Sequence, residues 1–337
     1  MLPQHVRVVA GAAGGPKGLI LGALDRFIFG YWLTQSSQPV HLLGASIGAW
    51  RMSAACLGRP AAALARLEYD YIHQEYDTQS GRAAPTAEHV SQRFGEMIEN
   101  FFRGHVREAL AHPRYRLHLI ASRGRHVLSR DTRTRLVLGY TGAVLANTLK
   151  RRWLGHWLER VVFSAQKGAL PFGAEDYPTL RCALTESNFE QVVLASCSIP
   201  FVLKAVTGIP GAPAGAYCDG GITDYHLHLD YNAGSDGIVL YPHFQKALVP
   251  GWLDKRLARR HRATHFLDDV LVLAPDPAWV RTLPNAKLPD RTDFPRYGKD
   301  LAARVAAWTS AARAGAVLQE EFADWLQRPE MGRVEPL

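Results

Sequence analysis

Apolar residues recur along this chain in two rhythms. Val6–Ala10 reads VRVVA, a short β-branched run that ends in glycines, and it predicts a buried strand. From Lys17 to about Thr34, Leu19, Ile20, Ala23, Leu24, Phe27, Ile28, Tyr31 and Trp32 fall at helical spacing. Pro16 suits the first position of that helix, where a missing N–H costs nothing. Val40–Leu43 predicts a second buried strand and Ile47–Leu57 a second helix, stopped by Gly58 and Pro60. The opening therefore predicts strand–loop–helix–strand–turn–helix, a βαβα unit with a parallel pair.

Beyond Pro60 the pattern is mainly helical. Helices are predicted from Ala61 to about Pro113, including Ala87–Ala111, and again over Leu136–Val161. Glu186–Ser196 predicts a short helix and Ala302–Leu326 a terminal one. Strands are predicted at Tyr115–Ala121, Ile238–Tyr241 and Val270–Ala274. With no repeat, long linker or low-complexity tract, the expectation is one α/β domain over residues 1–337 with a helical elaboration across about 61–185 and a C-terminal helix at about 300–327.

Composition bears on the compartment and the partner. The chain has 337 residues, 47% of them apolar and 21% charged, an ordinary globular balance that is long enough to bury a core without staples. Four scattered cysteines (Cys56, Cys182, Cys197 and Cys218) form no Cys-x-x-Cys pair, which argues against a metal site. The N-terminus runs directly into a predicted strand and no stretch reaches 18 uninterrupted apolar residues, so the reading expects a reduced, cytosolic protein without a transmembrane helix. The net charge of +8 suits an anionic partner. It gathers near Arg123–Arg135, Lys150–Arg152 and Lys255–Arg262, each read first as a solvated face; no signature of nucleic-acid binding accompanies them.

The candidate chemistry starts at Gly44-Ala45-Ser46-Ile47-Gly48, between the second predicted strand and the second helix. A nucleophilic serine on such a turn needs small neighbours, and the helix N-terminus then lies under the developing oxyanion. The pentapeptide alone is equally a small polar turn. The loop Gly11–Gly18, GAAGGPKG, also joins a strand to a helix. It breaks the P-loop pattern, with Pro16 before Lys17 and Gly18 after it, and Gly11-Ala12-Ala13 breaks the dinucleotide fingerprint. An oxyanion hole needs only backbone donors beside a serine on a neighbouring strand. Further on, Asp219-Gly220-Gly221 can turn tightly and expose a carboxylate, although Asp-Gly is also a common turn.

Together these pieces resemble the patatin-like acyl hydrolases. The resemblance rests on Ala13-Gly14-Gly15-Pro16-Lys17-Gly18, on Gly44-Ala45-Ser46-Ile47-Gly48, on Ala195-Ser196-Cys197-Ser198-Ile199-Pro200 and on Asp219-Gly220-Gly221, in that order. It covers roughly residues 6–60 and 190–242, within a motif-bearing core of 6–60 and 190–275. Ala13 stands where the family has glycine, keeping an N–H donor, and Ser198 where it has alanine.

The resemblance implies a three-layer α/β fold, with a mainly parallel sheet between helices. It also implies a Ser46–Asp219 dyad without histidine, an oxyanion hole from the backbone of Gly14, Gly15 and Ile47, and supporting roles for Lys17, Gly18, Gly44, Gly48, Gly220 and Gly221. The implied activity is hydrolysis of lipid or other acyl esters through an acyl-enzyme, with no metal or cofactor. A peripheral contact with an anionic membrane surface is open. Trp153 and Trp157, four residues apart beside Lys150–Arg152, read as core before they read as an interfacial helix. Three other readings stay in view: a triad using His226, His228 or His243, a non-catalytic lipid-binding effector, and a nucleotide-dependent enzyme.

Overall fold

The computed structural model describes residues 1–76, 85–234 and 236–337. Among them, eight strands form one sheet: β1 (Val6–Gly11), β2 (Val40–Ala45), β3 (Tyr115–Gly124), β4 (Leu158–Ser164), β5 (Thr179–Ala183), β6 (Tyr217–Asp219), β7 (Ile238–Pro242) and β8 (Val270–Leu273). The order is β5-β4-β3-β2-β1-β7-β8, with β6 paired to β3. Neighbours run parallel except β3 with β4 and β3 with β6. Helices cover both faces, so successive strand residues enter different cores. Leu42 of β2 and Leu117 and Leu119 of β3 join Trp50, Phe94, Phe101 and Phe189. Leu43 and Ala45 of β2 and Ile120 of β3 join Tyr225, Tyr231, Tyr241 and Phe244.

The register around β3 positions the site. β2 follows β3 as far as Ala45 opposite Ile120. The next residue of β3, Ala121, pairs with Asp219 of β6. The chain therefore leaves β2 at Ser46 at the point where β6 takes up the same edge, and the two residues meet although they are far apart in sequence.

Several predicted elements differ in detail. The helix predicted over Lys17–Thr34 is helical but composite: a 3₁₀ segment Gly15–Leu21, an α-helix Gly22–Phe27, a π segment Ile28–Trp32 and a 3₁₀ turn Leu33–Gln35. The helix Pro60–His73 presses on it; a Cβ added at Gly30 would lie 2.8 Å from that of Ala61. Helices Ala87–Phe102 and Val106–Leu110 occupy the later part of the helical stretch predicted from Ala61. Residues 77–84 of that stretch lie outside the described residues.

The helix predicted over Leu136–Val161 ends early. Arg133–Leu149 is helical, Arg151–His156 is a 3₁₀ segment, and the chain then enters β4. Because β4 is buried on both faces, its apolar run does not alternate and carries no period that separates strand from helix. The elaboration at 61–185 thus contributes β3, β4 and β5 to the sheet. The terminal helix is two, Leu301–Ala314 and Ala316–Gln327, broken at Gly315, where a Cβ would overlap the Ile20 carbonyl. The four cysteines are free thiols. Among the described residues no helix is long and apolar enough to cross a membrane.

Candidate active site

Ser46 stands between β2 and the helix Ile47–Ala55 with φ 57° and ψ −128°, a conformation costly for a residue with a side chain. The turn is held on both sides by close backbone contact. A Cβ at Gly44 would lie 2.5 Å from the Gly48 carbonyl oxygen, and one at Gly48 would overlap that of Gly11. Small residues there let the helix press against β1 and β2. Its N-terminus follows the serine directly, and the positive end of its dipole lies beside the Ser46 side chain. The Ser46 N–H donates to Ser196 Oγ at 2.9 Å, and that hydroxyl donates to the Ile120 carbonyl at 2.6 Å.

The Ser46 hydroxyl donates to Asp219 Oδ2 at 2.6 Å. Asp219 Oδ1 accepts from the Gly221 N–H at 2.7 Å. The aspartate's backbone is fixed as well: its N–H donates to the Ser198 carbonyl at 2.8 Å and its carbonyl accepts from Ser122 Oγ at 2.9 Å. A Cβ at Gly220 would overlap the Ile120 carbonyl, and one at Gly221 would lie 2.5 Å from the Ala13 Cβ. Burial pushes the Asp219 carboxyl above the usual aspartate range; the Ser46 hydroxyl, Arg291, the Gly221 N–H and Lys255 oppose that shift. The carboxylate can thus take a proton from the hydroxyl without an intermediary.

Of the three expected oxyanion donors, Gly14 lines the same cavity as Ser46 and Asp219, whereas Gly15 and Ile47 border a neighbouring cleft with Arg51 and Tyr71. Among the described residues, the N–H groups of Gly14, Gly15 and Ile47 have no acceptor. Gly15 holds φ +57°, the left-handed region that favours glycine. Gly18 packs on the Ile47 side chain; a Cβ added at Gly18 would lie 3.6 Å from Ile47 Cγ2. The donor expected at Ala13 is unavailable, because its N–H donates to the Tyr225 carbonyl at 3.0 Å.

The cavity, about 220 Å³, is lined by three cations and by the carboxylates of Asp219 and Asp290. Lys17, Lys255 and Arg291 line it, and none of the three has an ion-pair partner among the described residues. Lys17 lies 5.1 Å from the Phe244 ring centroid and Lys255 4.0 Å from that of Tyr225. Burial, with Lys17 and Arg291 alongside, lowers Lys255 to about 7, against the pull of Asp219. Lys17 is lowered too, chiefly by burial. Sequence reasoning missed most of this ring. Lys255 was read as part of a solvated cluster, and Arg291 carries no motif that marks it. Ser196 lay inside a motif already noted, but its role needs the fold to be seen.

The three candidate histidines bond elsewhere. His226 Nδ1 accepts from the Val249 N–H at 3.0 Å, His228 Nε2 pairs with Thr264 Oγ1 at 2.8 Å, and His243 Nδ1 accepts from the Gln245 N–H at 3.1 Å. Burial lowers all three, His243 to about 3. His243 stacks on Phe244 and His226 meets it edge-on; the Phe244 ring lies under Gly14, so both histidines back the glycine loop.

No curated protein matches the chain. A family model described as patatin-like phospholipase matches residues 12–226, a span that opens in the glycine loop and closes just beyond the Asp219 turn, and the chain belongs to that family.

Proposed function

We propose that the protein is a serine acyl hydrolase that cleaves carboxylic esters of lipids through a Ser46–Asp219 dyad. The observation that carries this reading is the 2.6 Å hydrogen bond from Ser46 Oγ to Asp219 Oδ2 on a strained strand-to-helix turn that faces a cavity. Asp219 accepts the hydroxyl proton as Ser46 Oγ attacks the acyl carbon. The N–H groups of Gly14, Gly15 and Ile47 receive the oxyanion, aided by the helix that starts at Ile47. The proton then passes from Asp219 to the leaving alkoxide. Water, deprotonated by the same carboxylate, then attacks the acyl carbon; as the Oγ–acyl bond breaks, Asp219 returns the proton to Ser46 Oγ and the acid is released.

The ring of Lys17, Lys255 and Arg291 favours esters with a negative charge close to the scissile bond. The test compares wild type with Ser46→Ala on a soluble p-nitrophenyl ester. Turnover is expected to vanish in the variant with the fold retained. Undiminished turnover there would refute the role of Ser46.

A further inference from the structure

The helix Arg133–Leu149 turns an apolar face to solvent. Val137, Leu138, Val144, Leu145 and Leu149 are exposed, and Trp153 in the next segment is about half exposed. Trp153 is therefore not the core residue its spacing suggested, although Trp157 packs beneath Gly142. Exposed apolar residues scattered singly need no explanation, but a stripe along one helix does.

Within the stripe's own segment the charge has a single sign. Residues 132–156 contain no Asp or Glu. Arg133 and Arg135 stand at the start of the helix and Lys150 and Arg152 just past its end, with no ion-pair partner for any of the four among the described residues. A more distant basic cluster folds onto the same end: Arg259 and Arg260 donate to the carbonyls of Thr148 and Asn147 at 3.0 and 2.6 Å.

The same helix, through its buried side, contacts two segments that line the cavity. Ile199 and Pro200 line the cavity, and the next two residues, Phe201 and Val202, are exposed. The Phe201 ring lies 5.9 Å from that of Tyr140 on the helix. Nearer the helix C-terminus, Asn147 donates to Asp254 at 2.7 Å, within the segment whose Trp252 and Lys255 line the cavity.

We propose that this face docks on an anionic lipid bilayer, with the apolar stripe at the headgroup–acyl boundary and the flanking cations on the lipid headgroups. The arrangement would set the cavity mouth against the source of the ester. A second copy of the chain is a poorer occupant. Both ends of the stripe are cationic, so pairing it with itself sets cation against cation in either direction, whereas an anionic surface meets all of them favourably. The docking itself does not depend on the chemistry assigned to Ser46; its use in meeting the ester rests on that reading.

Flotation of the full chain with vesicles of equal parts phosphatidylcholine and phosphatidylserine, beside phosphatidylcholine alone, tests it. Binding is expected on the anionic vesicles and is expected to weaken with salt. Leu138→Glu/Leu145→Glu and Lys150→Glu/Arg152→Glu are each expected to weaken it at least about tenfold. Both double variants should keep the melting temperature and the hydrolysis of a soluble p-nitrophenyl ester, and Ser46→Ala should bind like wild type. The proposal is overturned by no binding, by binding indifferent to phosphatidylserine, by binding undiminished in both double variants, or by wild-type dimerisation that Leu138→Glu/Leu145→Glu abolishes.

Discussion

Burial raises the Asp219 carboxyl while the Ser46 hydroxyl, Arg291, the Gly221 N–H and Lys255 draw it back. A base must be ionised to work, so activity is expected to fall as pH drops through this raised value. Stability runs the other way. An acid whose pKa is raised by folding weakens the fold where it is ionised; the penalty is full above the folded pKa and fades as pH falls through it. Asparagine keeps both hydrogen bonds, its oxygen accepting from Gly221 and its amide donating to Ser46 Oγ, but it cannot take a proton. Asp219→Asn is thus expected to be nearly inactive and to melt above wild type at neutral pH, with the gain shrinking as the solution is acidified. A variant that melts below wild type at every pH would contradict this balance. Lys255 titrates with the opposite consequence. Held at about 7, it carries its charge below that pH and loses it above. For an anionic ester, KM is expected to rise as pH passes upward through this value, with little change for a neutral ester. Lys255→Met should flatten that dependence; a KM that stays pH-dependent in the variant would assign it to another group.

Among the elements, the two turns of the site are sensitive in different ways. Gly48 has no room for a methyl group, because a Cβ would overlap the Gly11 carbonyl and force helix and strand apart. Gly48→Ala is expected to cost about 1–3 kcal/mol, read from denaturant melts. Gly15 has room, its nearest neighbour being 3.5 Å from an added Cβ, but its φ of +57° disfavours one. Gly15→Val is expected to turn an N–H away and lower kcat about 100- to 1,000-fold, with less effect on KM. A folded Gly15→Val protein with wild-type kcat would place the oxyanion donors elsewhere. These turns were legible in the sequence because small residues at fixed spacing are what such close approaches require. The first two strands were legible for a similar reason: each is a short apolar run with glycine at its end. β4 was hidden by burial on both faces, β6 by its three residues, and the break at Gly315 by an apolar pattern that continues across it. The cation ring could not be read locally. Lys17, Lys255 and Arg291 come from distant segments, and only the closed fold brings them together.

For the whole molecule, the sheet order does what no single segment can. β2 stops beside β3 and β6 takes over the same edge, so a serine near the N-terminus and an aspartate in the second half of the chain share one hydrogen bond. Arg160 supports the aspartate's segment from behind: fully buried on β4, it bonds Asp224 through two nitrogens at 2.8 and 2.6 Å, shortly after the Asp219 turn. On the proposed mechanism, this meeting of strands activates Ser46 without a histidine. A fluorophosphonate probe, with the adduct located by mass spectrometry, tests it most directly. One adduct is expected on Ser46 in wild type, none there in Ser46→Ala, strongly slowed labelling in Asp219→Asn, and labelling within about tenfold of wild type in His226→Ala, His228→Ala and His243→Ala, since a general base is worth about 10²–10⁴-fold. An unlabelled Ser46 in the wild-type protein, or labelling lost in one folded histidine variant and retained in Asp219→Asn, would contradict it.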